Sequence, residues 1–280
     1  MLYSPERVKE ICESYVITQT ETNSDPSAIQ FVEHHDDEIY ASVYDEQVLK
    51  KDPDNDMYKI IIVEEESYTG YITVLYHPER LDLAVTNGKT GDYPSTFARK
   101  YDAMVCTNCG PAKWYNNFST LRPYNTIIAD GEIIYSNGKA GEIIGMNNDN
   151  VLCLWNTTAE DAKERGLRWG VMFGPYLIVN GVETKFTGNG GYGINPRTAI
   201  GQRRDGIVLL FTIDGRGGGG SSGISMTKLA DLCMRYGCYN AANLDGGGST
   251  TLIVNKKLVN NPVSWNHTGE RKLYNCLVYH

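Results

Sequence analysis

Two stretches of the sequence combine one carboxylate with a run of glycines, and each follows an apolar segment. Asp245 stands in NLDGGGSTTL (243–252), and Asp214 stands immediately before GRGGGGSSG (215–223). Glycine runs lose much conformational entropy on folding, so they are expected where the backbone must approach a ligand or another segment closely. Backbone N–H groups that no Cβ shields also suit anions. These stretches therefore predict a site that holds carboxylates and binds an anion.

Two arginines accompany the carboxylates. Arg216 lies two residues after Asp214, so an extended backbone would place both side chains on one face, and Arg197 begins the preceding apolar segment. Guanidinium groups fork onto phosphates and carboxylates, which predicts an anion clamp, and a structural ion pair is the plainer alternative. Neither glycine loop fits a P-loop or a GxGxxG motif at a helix start, so nucleotide-binding motifs are not supported.

The strongest helix signal lies between these two acidic loops. In SMTKLADLCMRYG (225–237), Ser225 can cap the helix and Gly237 can end it. Strand-like segments precede it at 206–216 and follow it at 238–249. We expect a βαβ-like unit whose strands are parallel neighbours, which would place Asp214 and Asp245 at one edge of the sheet. The alternative for either Asp-Gly pair is a simple turn.

Short strands dominate the chain from Met57 onward. Asp130-Gly131 and Asn180-Gly181 each lie between apolar runs and predict β-hairpins, and 159–166 predicts a short helix. The predicted fold class is α+β, a mixed β-sheet core with flanking helices and the βαβ-like unit near the C-terminus. Residues 57–280 are predicted to form the main domain, and residues 1–56 either a simple N-terminal appendage or a segment that docks to another protein. Its HHDDE stretch (34–38) reads as a solvated charge run, with a metal site as the alternative.

Composition narrows the function classes. The formal net charge of -8 argues against non-specific binding of nucleic acid. No stretch reaches the roughly 18 apolar residues of a membrane span. The N-terminus shows no secretory signal pattern, and the seven cysteines suit free thiols, so we expect a cytoplasmic or virion-associated protein. Cys106 and Cys109 form a CxxC pair, which packed cysteines explain better than zinc or dithiol chemistry.

Three C-terminal strings resemble the phosphodiester glycosidase family. They are PRTAIGQRRDGIVLLFTIDGR (196–216), GISMTKLADLCMRYGCYNAANLDGGGSTTLIVNKKLVNNP (223–262) and GERKLYNCLVYH (269–280). FARKYDAMVCTNCG (97–110) and YNTIIADGEIIYSNG (124–138) are similar to earlier segments of that family, so the resemblance runs from about residue 58 to 280. Where the family tends to show an Asn-Gly-Gly-Phe-Phe-like turn, this chain has NCGPAKW (108–114).

The resemblance implies an enzyme that hydrolyses a sugar-1-phosphate diester at the anomeric carbon, releasing free sugar and a phosphomonoester. Asp245 and Asp214 are then the catalytic carboxylates, in an order left open, and Arg197 and Arg216 clamp the phosphate. The substrate-binding candidates besides these arginines are Asn243, Gly246, Gly247, Gly248, Ser249, Thr250, Asn108 and Arg271. For Asn108 a turn-forming role is the alternative, and for Arg271 a surface salt bridge; His267 is given no catalytic role.

The resemblance further implies that no cofactor is required, although Asp, Asn and carbonyl groups in glycine-rich loops leave room for a divalent cation. The expected partner is a glycosyl phosphate or a phosphate-containing polysaccharide. Two alternative functions stay open. One is a phosphodiesterase that cuts the P–O bond. The other is a non-catalytic binding module for phosphate-containing glycan on a cell surface or a phage particle.

Overall fold

The computed structural model describes residues 4, 7–8, 14–35, 39–264 and 268–280. Short strands make up most of the regular structure. The strands are β1 Val16–Thr18, β2 Tyr58–Glu65, β3 Tyr68–Leu75, β4 Leu81–Val85, β5 Val105–Asn108, β6 Ala112–Tyr115, β7 Thr120–Pro123, β8 Ile127–Ala129, β9 Glu132–Tyr135, β10 Gly141–Asn147, β11 Leu152–Thr157, β12 Leu167–Met172, β13 Tyr176–Val179, β14 Val182–Glu183, β15 Lys185–Thr187, β16 Arg197–Arg203, β17 Val208–Ile213, β18 Cys238–Leu244, β19 Leu252–Val254, β20 Lys257–Leu258 and β21 Asn275–Tyr279. The α-helices whose two ends both lie within the described residues are α1 Val43–Leu49, α2 Pro94–Lys100, α3 Ala159–Glu164 and α4 Met226–Arg235.

Three larger sheets carry the fold. The central sheet has seven strands in the order β14-β13-β18-β16-β17-β3-β2. Two five-stranded sheets have the orders β11-β10-β12-β8-β9 and β20-β19-β5-β21-β4, and β1-β15 and β6-β7 form small two-stranded sheets. The largest hydrophobic cluster draws side chains from all three larger sheets, with Trp169 and Tyr176 fully buried in it. A second cluster covers the other face of the central sheet with α1 and α4.

The predicted mixed sheet is wrong, and so is the prediction that the two strands of the βαβ-like unit are neighbours. Every strand pair among the described residues is antiparallel. β16 lies between β17 and β18 and pairs with both, so these two strands run in the same direction without being neighbours. Their C-terminal ends still reach the same edge of the sheet, because each is antiparallel to the same strand. The molecule is therefore mostly β with few helices.

Both predicted hairpins and the predicted helix α4 form at the positions that the sequence indicates. Ala129 pairs with Glu132 and Val179 with Val182, which confirms both predicted hairpins. Each turn has two residues of positive φ, 52° and 71° at 130–131 and 53° and 79° at 180–181, as a two-residue turn of type I′ requires. Helix α4 starts where Ser225 Oγ accepts from the N–H of Lys228 at 3.2 Å, and Gly237 follows it at φ 78°.

The described part of the N-terminal segment packs along the main domain. β1 pairs with β15, and the backbone N–H of Ser24 donates to the carbonyl of Leu154 at 2.8 Å. Val48 of α1 is completely buried in the cluster beneath the central sheet. His34 lies 3.2 Å from Asp205, whereas Asp36 and Asp37 of the HHDDE stretch lie outside the described residues. Across the part of the chain that is described, no helix has the length and apolarity needed to cross a membrane.

Candidate active site

Three strand ends meet at one edge of the central sheet. In the antiparallel register Arg197, the first residue of β16, pairs with Ile213, the last residue of β17. Thr198 pairs with Leu244, the last residue of β18. Asp214 and Asp245 follow those last residues directly, so both carboxylates and Arg197 lie at the same edge. The edge that was predicted from parallel neighbours is thus formed by an antiparallel triplet.

Asp245 is held in place through its backbone. Its N–H donates to the carbonyl of Cys109 at 2.9 Å, and its own carbonyl accepts from the side-chain amide of Asn108. Asp245 as a residue is partly exposed, and desolvation of its carboxyl group raises the pKa of that group above the ordinary value. Ser249, the charge of Arg271 and the N–H of Gly246 oppose that rise in pKa. The charge of Arg271 therefore acts on the carboxylate of Asp245, and a substrate-binding role for Arg271 stays a prediction.

The two predicted clamp arginines both approach the glycine run that follows Asp245. Arg197 is 7% exposed, and its Nη2 donates to the carbonyls of Tyr192 at 3.0 Å and Gly193 at 2.8 Å. Burial, which Tyr192 opposes and the nearby charge of Arg216 reinforces, lowers the pKa of Arg197 to about 10. Arg216 reaches the site from the loop after β17 at φ 56°, because the strand ends at Ile213.

The glycines of the 246–248 run lie against other parts of the site. A Cβ at Gly247, whose φ is 61°, would lie 2.9 Å from Nη2 of Arg216. A Cβ at Gly248 would lie 2.8 Å from Oγ of Ser264. Side chains at these positions would displace the guanidinium or the 264 segment. The run is thus explained by close approach of Arg216 to the backbone beside Asp245.

Asp214 has a different environment from Asp245. It is 1% exposed, and its Oδ1 accepts from the side chain of Asn260 and the N–H of Asn261, both at 2.9 Å. Its Oδ2 accepts from Nδ2 of Asn261 at 2.9 Å. Asn260 also donates to the carbonyl of Thr250 at 3.1 Å. The carboxylate of Asp214 therefore ties the 260–261 turn to the segment that follows the glycine run.

Asn108 is likewise engaged within the protein. It is 1% exposed, and its Oδ1 accepts from Oγ1 of Thr198 at 2.8 Å and from the N–H of Thr251 at 3.1 Å. Together with its donation to Asp245, these bonds join β5, β16 and the segment after β18. Ser249 and Thr250 are also buried, and Ser249 Oγ has no partner of regular hydrogen-bond geometry among the described residues.

A third carboxyl group, which was not predicted from the sequence, borders the site. Glu142 lines a recess of about 250 Å³ whose wall also includes Asn125, Phe173 and Tyr192. Burial raises the pKa of Glu142, and the N–H of Tyr176 opposes this rise.

Two hydrogen bonds connect the recess with the site. The carbonyl of Tyr192 accepts from Arg197. Nδ2 of Asn243 donates at 2.9 Å to the carbonyl of Gly174, which also lines the recess. An acidic residue at the start of the apolar strand GEIIGMN was the available signal.

Two neighbouring features complete the geometry. Asn243 is 3% exposed, and its Oδ1 has no hydrogen-bond partner within the described residues, nor has Nε of Arg197. A groove of about 370 Å³ is lined by Arg216, by the 217–219 glycines and by residues 260–263. The site therefore has a recess that includes Tyr192, which accepts from Arg197, and a groove that includes Arg216.

Within residues 4, 7–8, 14–35, 39–264 and 268–280, no group of three or more His, Cys, Asp or Glu side chains suits a metal ion. Cys106 and Cys109 are both buried free thiols, and Cys106 donates to the carbonyl of Pro94 at 3.4 Å. Burial and the charge of Asp245 raise the pKa of Cys109 far above its ordinary value, which keeps it a neutral thiol. His267 lies outside the described residues.

Comparison with known sequences gives one family and several relatives. A family model described as phosphodiester glycosidase matches residues 101–280. N-acetylglucosamine-1-phosphodiester alpha-N-acetylglucosaminidase of Mus musculus is 25% identical over 220 residues, which are 71% of this chain and 42% of that protein. The SPbeta prophage-derived uncharacterized protein YomE of Bacillus subtilis (strain 168) is 48% identical over 67 residues, 24% of this chain and 10% of that protein. The chain thus spans less than half the length of these relatives.

Solved structures with a similar fold include a member of the same group of enzymes. The zebrafish N-acetylglucosamine-1-phosphodiester alpha-N-acetylglucosaminidase catalytic domain, auto-inhibited by its pro-peptide, superposes with a TM-score of 0.63 at 21% identity. That match covers 80% of this chain and 82% of the zebrafish chain. A hypothetical protein from Synechocystis superposes with a TM-score of 0.52 at 16% identity, over 79% and 61% of the two chains. At these identities the likeness concerns the fold.

Proposed function

The chain belongs to the phosphodiester glycosidase family, and from this premise we propose that it hydrolyses a glycosyl phosphodiester at the anomeric carbon. The products are a sugar with a free reducing end and a phosphomonoester. One observation supports the proposal: Asp245 follows the end of β18 beside the start of β16, and Arg197 and Arg216 both lie against the glycine run after Asp245. That combination suits a reaction in which positive charge develops on a sugar and negative charge on a phosphate.

The arginines act on the leaving group in this proposal. When the bond between the anomeric carbon and the phosphate oxygen breaks, the oxygen keeps the electron pair and the phosphate gains negative charge. Arg216 and Arg197 stabilise that charge, and the unpartnered Nε of Arg197 is a donor still available for it. A phosphomonoester leaves without being protonated, so a general acid matters less here than in ordinary glycoside hydrolysis.

Asp245 acts on the sugar side. Its carboxylate either takes the proton of an attacking water, whose oxygen then bonds to the anomeric carbon, or attacks that carbon first and forms a glycosyl ester that water hydrolyses. Its raised pKa makes it a stronger base than an ordinary aspartate. Both routes require the carboxylate of Asp245 to be held in a fixed position. Asn108 and Cys109 provide this by hydrogen bonding to the backbone of Asp245.

The remaining residues bind and position in this proposal. Glu142 and Asn125 in the recess hydrogen-bond the sugar hydroxyls, and the groove beyond Arg216 takes the alcohol side of the diester. Asp214 positions the segment after Asp245, because its oxygens are already engaged by Asn260 and Asn261. We further propose that no cofactor is needed, since Arg197, Arg216 and Arg271 supply positive charge for the phosphate and for Asp245.

A product screen tests the proposal. Sugar-1-phosphate diesters, UDP-sugars and phosphate-linked glycans are offered, and reducing sugar is measured with and without EDTA. We expect release of reducing sugar that EDTA leaves unchanged and that Asp245→Asn abolishes. Hydrolysis in ¹⁸O-labelled water should place the label in the sugar. Label in the phosphate would instead identify a P–O phosphodiesterase, and binding of the glycan without turnover would identify a binding module.

The setting of the protein is a further proposal. The printed name of the Bacillus subtilis relative is prophage-derived, which supports a virion-associated or cytoplasmic location in a phage or prophage context. Detection of the chain in purified particles would test this. That residues 1–56 dock to another protein stays a prediction.

A further inference from the structure

A hairpin projects from the edge of the candidate active site. It consists of β6 and β7 (112–123) and is called the hairpin arm here. On its N-terminal side, Cys109 accepts the N–H of Asp245, and the N–H of Gly110 donates to Oδ1 of Asn275 at 2.6 Å. On its C-terminal side, Asn125 lines the recess that contains Glu142. Both ends of the hairpin arm are thus fixed at the site.

One face of the hairpin arm carries alternating cations and aromatic rings. Lys113 pairs with Arg122 across the two strands, and Tyr115 and Tyr124 lie on the same face. Nζ of Lys113 lies 5.9 Å from both tyrosine rings, and the guanidinium of Arg122 lies 5.9 Å from that of Tyr115. All four side chains are exposed. The opposite face is anchored by Leu121, which is 2% exposed.

The charge of this face contrasts with that of the whole chain. The formal net charge is -8, yet residues 112–125 contain no Asp or Glu. Within the described part of the chain, no ion pair involves Lys113 or Arg122, whereas Arg203, Arg235 and Lys256 each pair with a carboxylate. Phe118 at the tip is 78% exposed and lies 6.3 Å from the ring of Trp114. Exposed aromatic side chains grouped in this way mark a surface for a partner.

We propose that the hairpin arm binds an anionic, phosphate-linked glycan chain that continues from the candidate active site. Sugar rings can pack their C–H faces on Tyr115 and Tyr124, while Lys113 and Arg122 pair with the phosphates between them. Because Asn125 joins the arm to the recess, a chain attached to the sugar in the recess would continue along the arm. This rests on the proposed function and makes its substrate a polymer that is cleaved internally.

Single-stranded nucleic acid presents a similar alternation of rings and phosphates. It is the less favoured partner because two cations in a chain of net charge -8 give little of the phosphate neutralisation that such binding needs. The spacing also differs, since both aromatic rings here lie close to the same lysine, Lys113, instead of lining a basic groove. A nucleic-acid probe therefore belongs in the test.

Binding can be measured without turnover. The full-length Asp245→Asn variant is titrated by calorimetry with a soluble hexosamine-1-phosphate polymer, neutral dextran, polyphosphate and a single-stranded DNA oligonucleotide. The arm variant adds Lys113→Gln and Arg122→Gln, which leave Trp114 and Leu121 in place. The matched control adds Arg204→Gln, because exposed Arg204 lies 4.4 Å above the ring of Tyr239 beyond the opposite end of β16. Melting temperatures confirm folding.

We expect the sugar-phosphate polymer to bind more tightly than dextran and polyphosphate, with a loss of about tenfold or more in the arm variant and none in the control. A Tyr115→Ala variant should lose affinity for the same polymer. Equal binding by the arm variant and the control, or tighter binding of DNA, overturns the inference. Hydrolysis is measured separately in the wild-type background. A monomeric diester should be cleaved equally with and without the arm substitutions, so failure of wild type to cleave it concerns the proposed function alone.

Discussion

The side-chain amide of Asn108 donates a hydrogen bond to the backbone carbonyl of Asp245, joining the end of β5 to the end of β18. The same Asn108 accepts from Thr198 and Thr251. One buried side chain thus sets the position of the carboxylate that we propose as catalytic, although the two residues are 137 positions apart. Asn108 is accordingly a positioning residue in the proposal.

Replacement of Asn108 by Ala should lower both stability and turnover. The N–H of Thr251 and the hydroxyl of Thr198 would lose their acceptor in a buried place, which costs about 1–3 kcal/mol for an unsatisfied group. The number of substrate-contacting groups stays the same, so kcat should fall by about tenfold or more while KM changes little. Denaturant unfolding and steady-state kinetics measure both effects. Asn148→Ala, at an exposed turn, is the control.

Asp245→Asn should abolish turnover and still give a stable protein. Loss of a positioned base or nucleophile costs about 10²–10⁴-fold or more in kcat. Burial raises the pKa of Asp245 in the folded state, so its ionisation opposes folding at pH values above that raised pKa. The variant should therefore melt at or above the wild-type temperature at neutral pH, and the difference should vanish at acid pH below the unfolded-state pKa. Asp130→Asn, in another Asp-Gly turn, should change neither turnover nor melting.

The acid limb of the pH profile should depend on Arg271. Activity that needs ionised Asp245 falls as the pH drops through its raised pKa, so the limb should lie above the usual range of an aspartate. The charge of Arg271 lowers that pKa, so Arg271→Gln should move the limb to higher pH. Profiles of kcat/KM for wild type, Arg271→Gln and the neighbouring Lys272→Gln check this. A limb that stays in place in Arg271→Gln contradicts an effect of the Arg271 charge on the pKa of Asp245.

Asp214→Asn should separate the two carboxylates of the sequence prediction. An amide at this position would turn an N–H toward Asn260 or Asn261, which are themselves donors, so the free energy of unfolding should fall by about 1–3 kcal/mol. We expect activity to fall less than in Asp245→Asn, at a temperature where the variant is fully folded. Equal losses of kcat in both variants would return Asp214 to the catalytic role that the sequence suggested.

Arg216→Lys should weaken the clamp. Lysine keeps the charge but loses the planar fork, so kcat/KM should fall by about 10- to 100-fold, as expected when a bidentate phosphate contact becomes a point charge. Arg235→Lys is the matched control, because Arg235 is a surface arginine that pairs with Glu65 at 3.3 Å. Kinetics on one diester substrate measure both variants. Similar values for Arg216→Lys and wild type would remove Arg216 from the clamp.

Much of the local structure could be predicted from sequence because its cause is local. Asp130-Gly131 and Asn180-Gly181 supply the positive φ that a two-residue turn needs, and Ser225 supplies the cap of α4. Strand order was predicted wrongly because apolar runs do not encode their partners. β16 inserts between β17 and β18, and only hydrogen bonding across the sheet decides that.

Sequence alone determined which residue types stand at the strand ends: an aspartate after β17, another after β18 and an arginine at the start of β16. It also determined that glycines follow both aspartates. Tertiary structure decided how these groups differ, because burial and hydrogen-bond partners come from distant segments. Asn260 and Asn261 engage the oxygens of Asp214, while Asp245 stays partly exposed beside the arginines. The same packing brought Glu142 to the site from a strand whose sequence gave little sign of it.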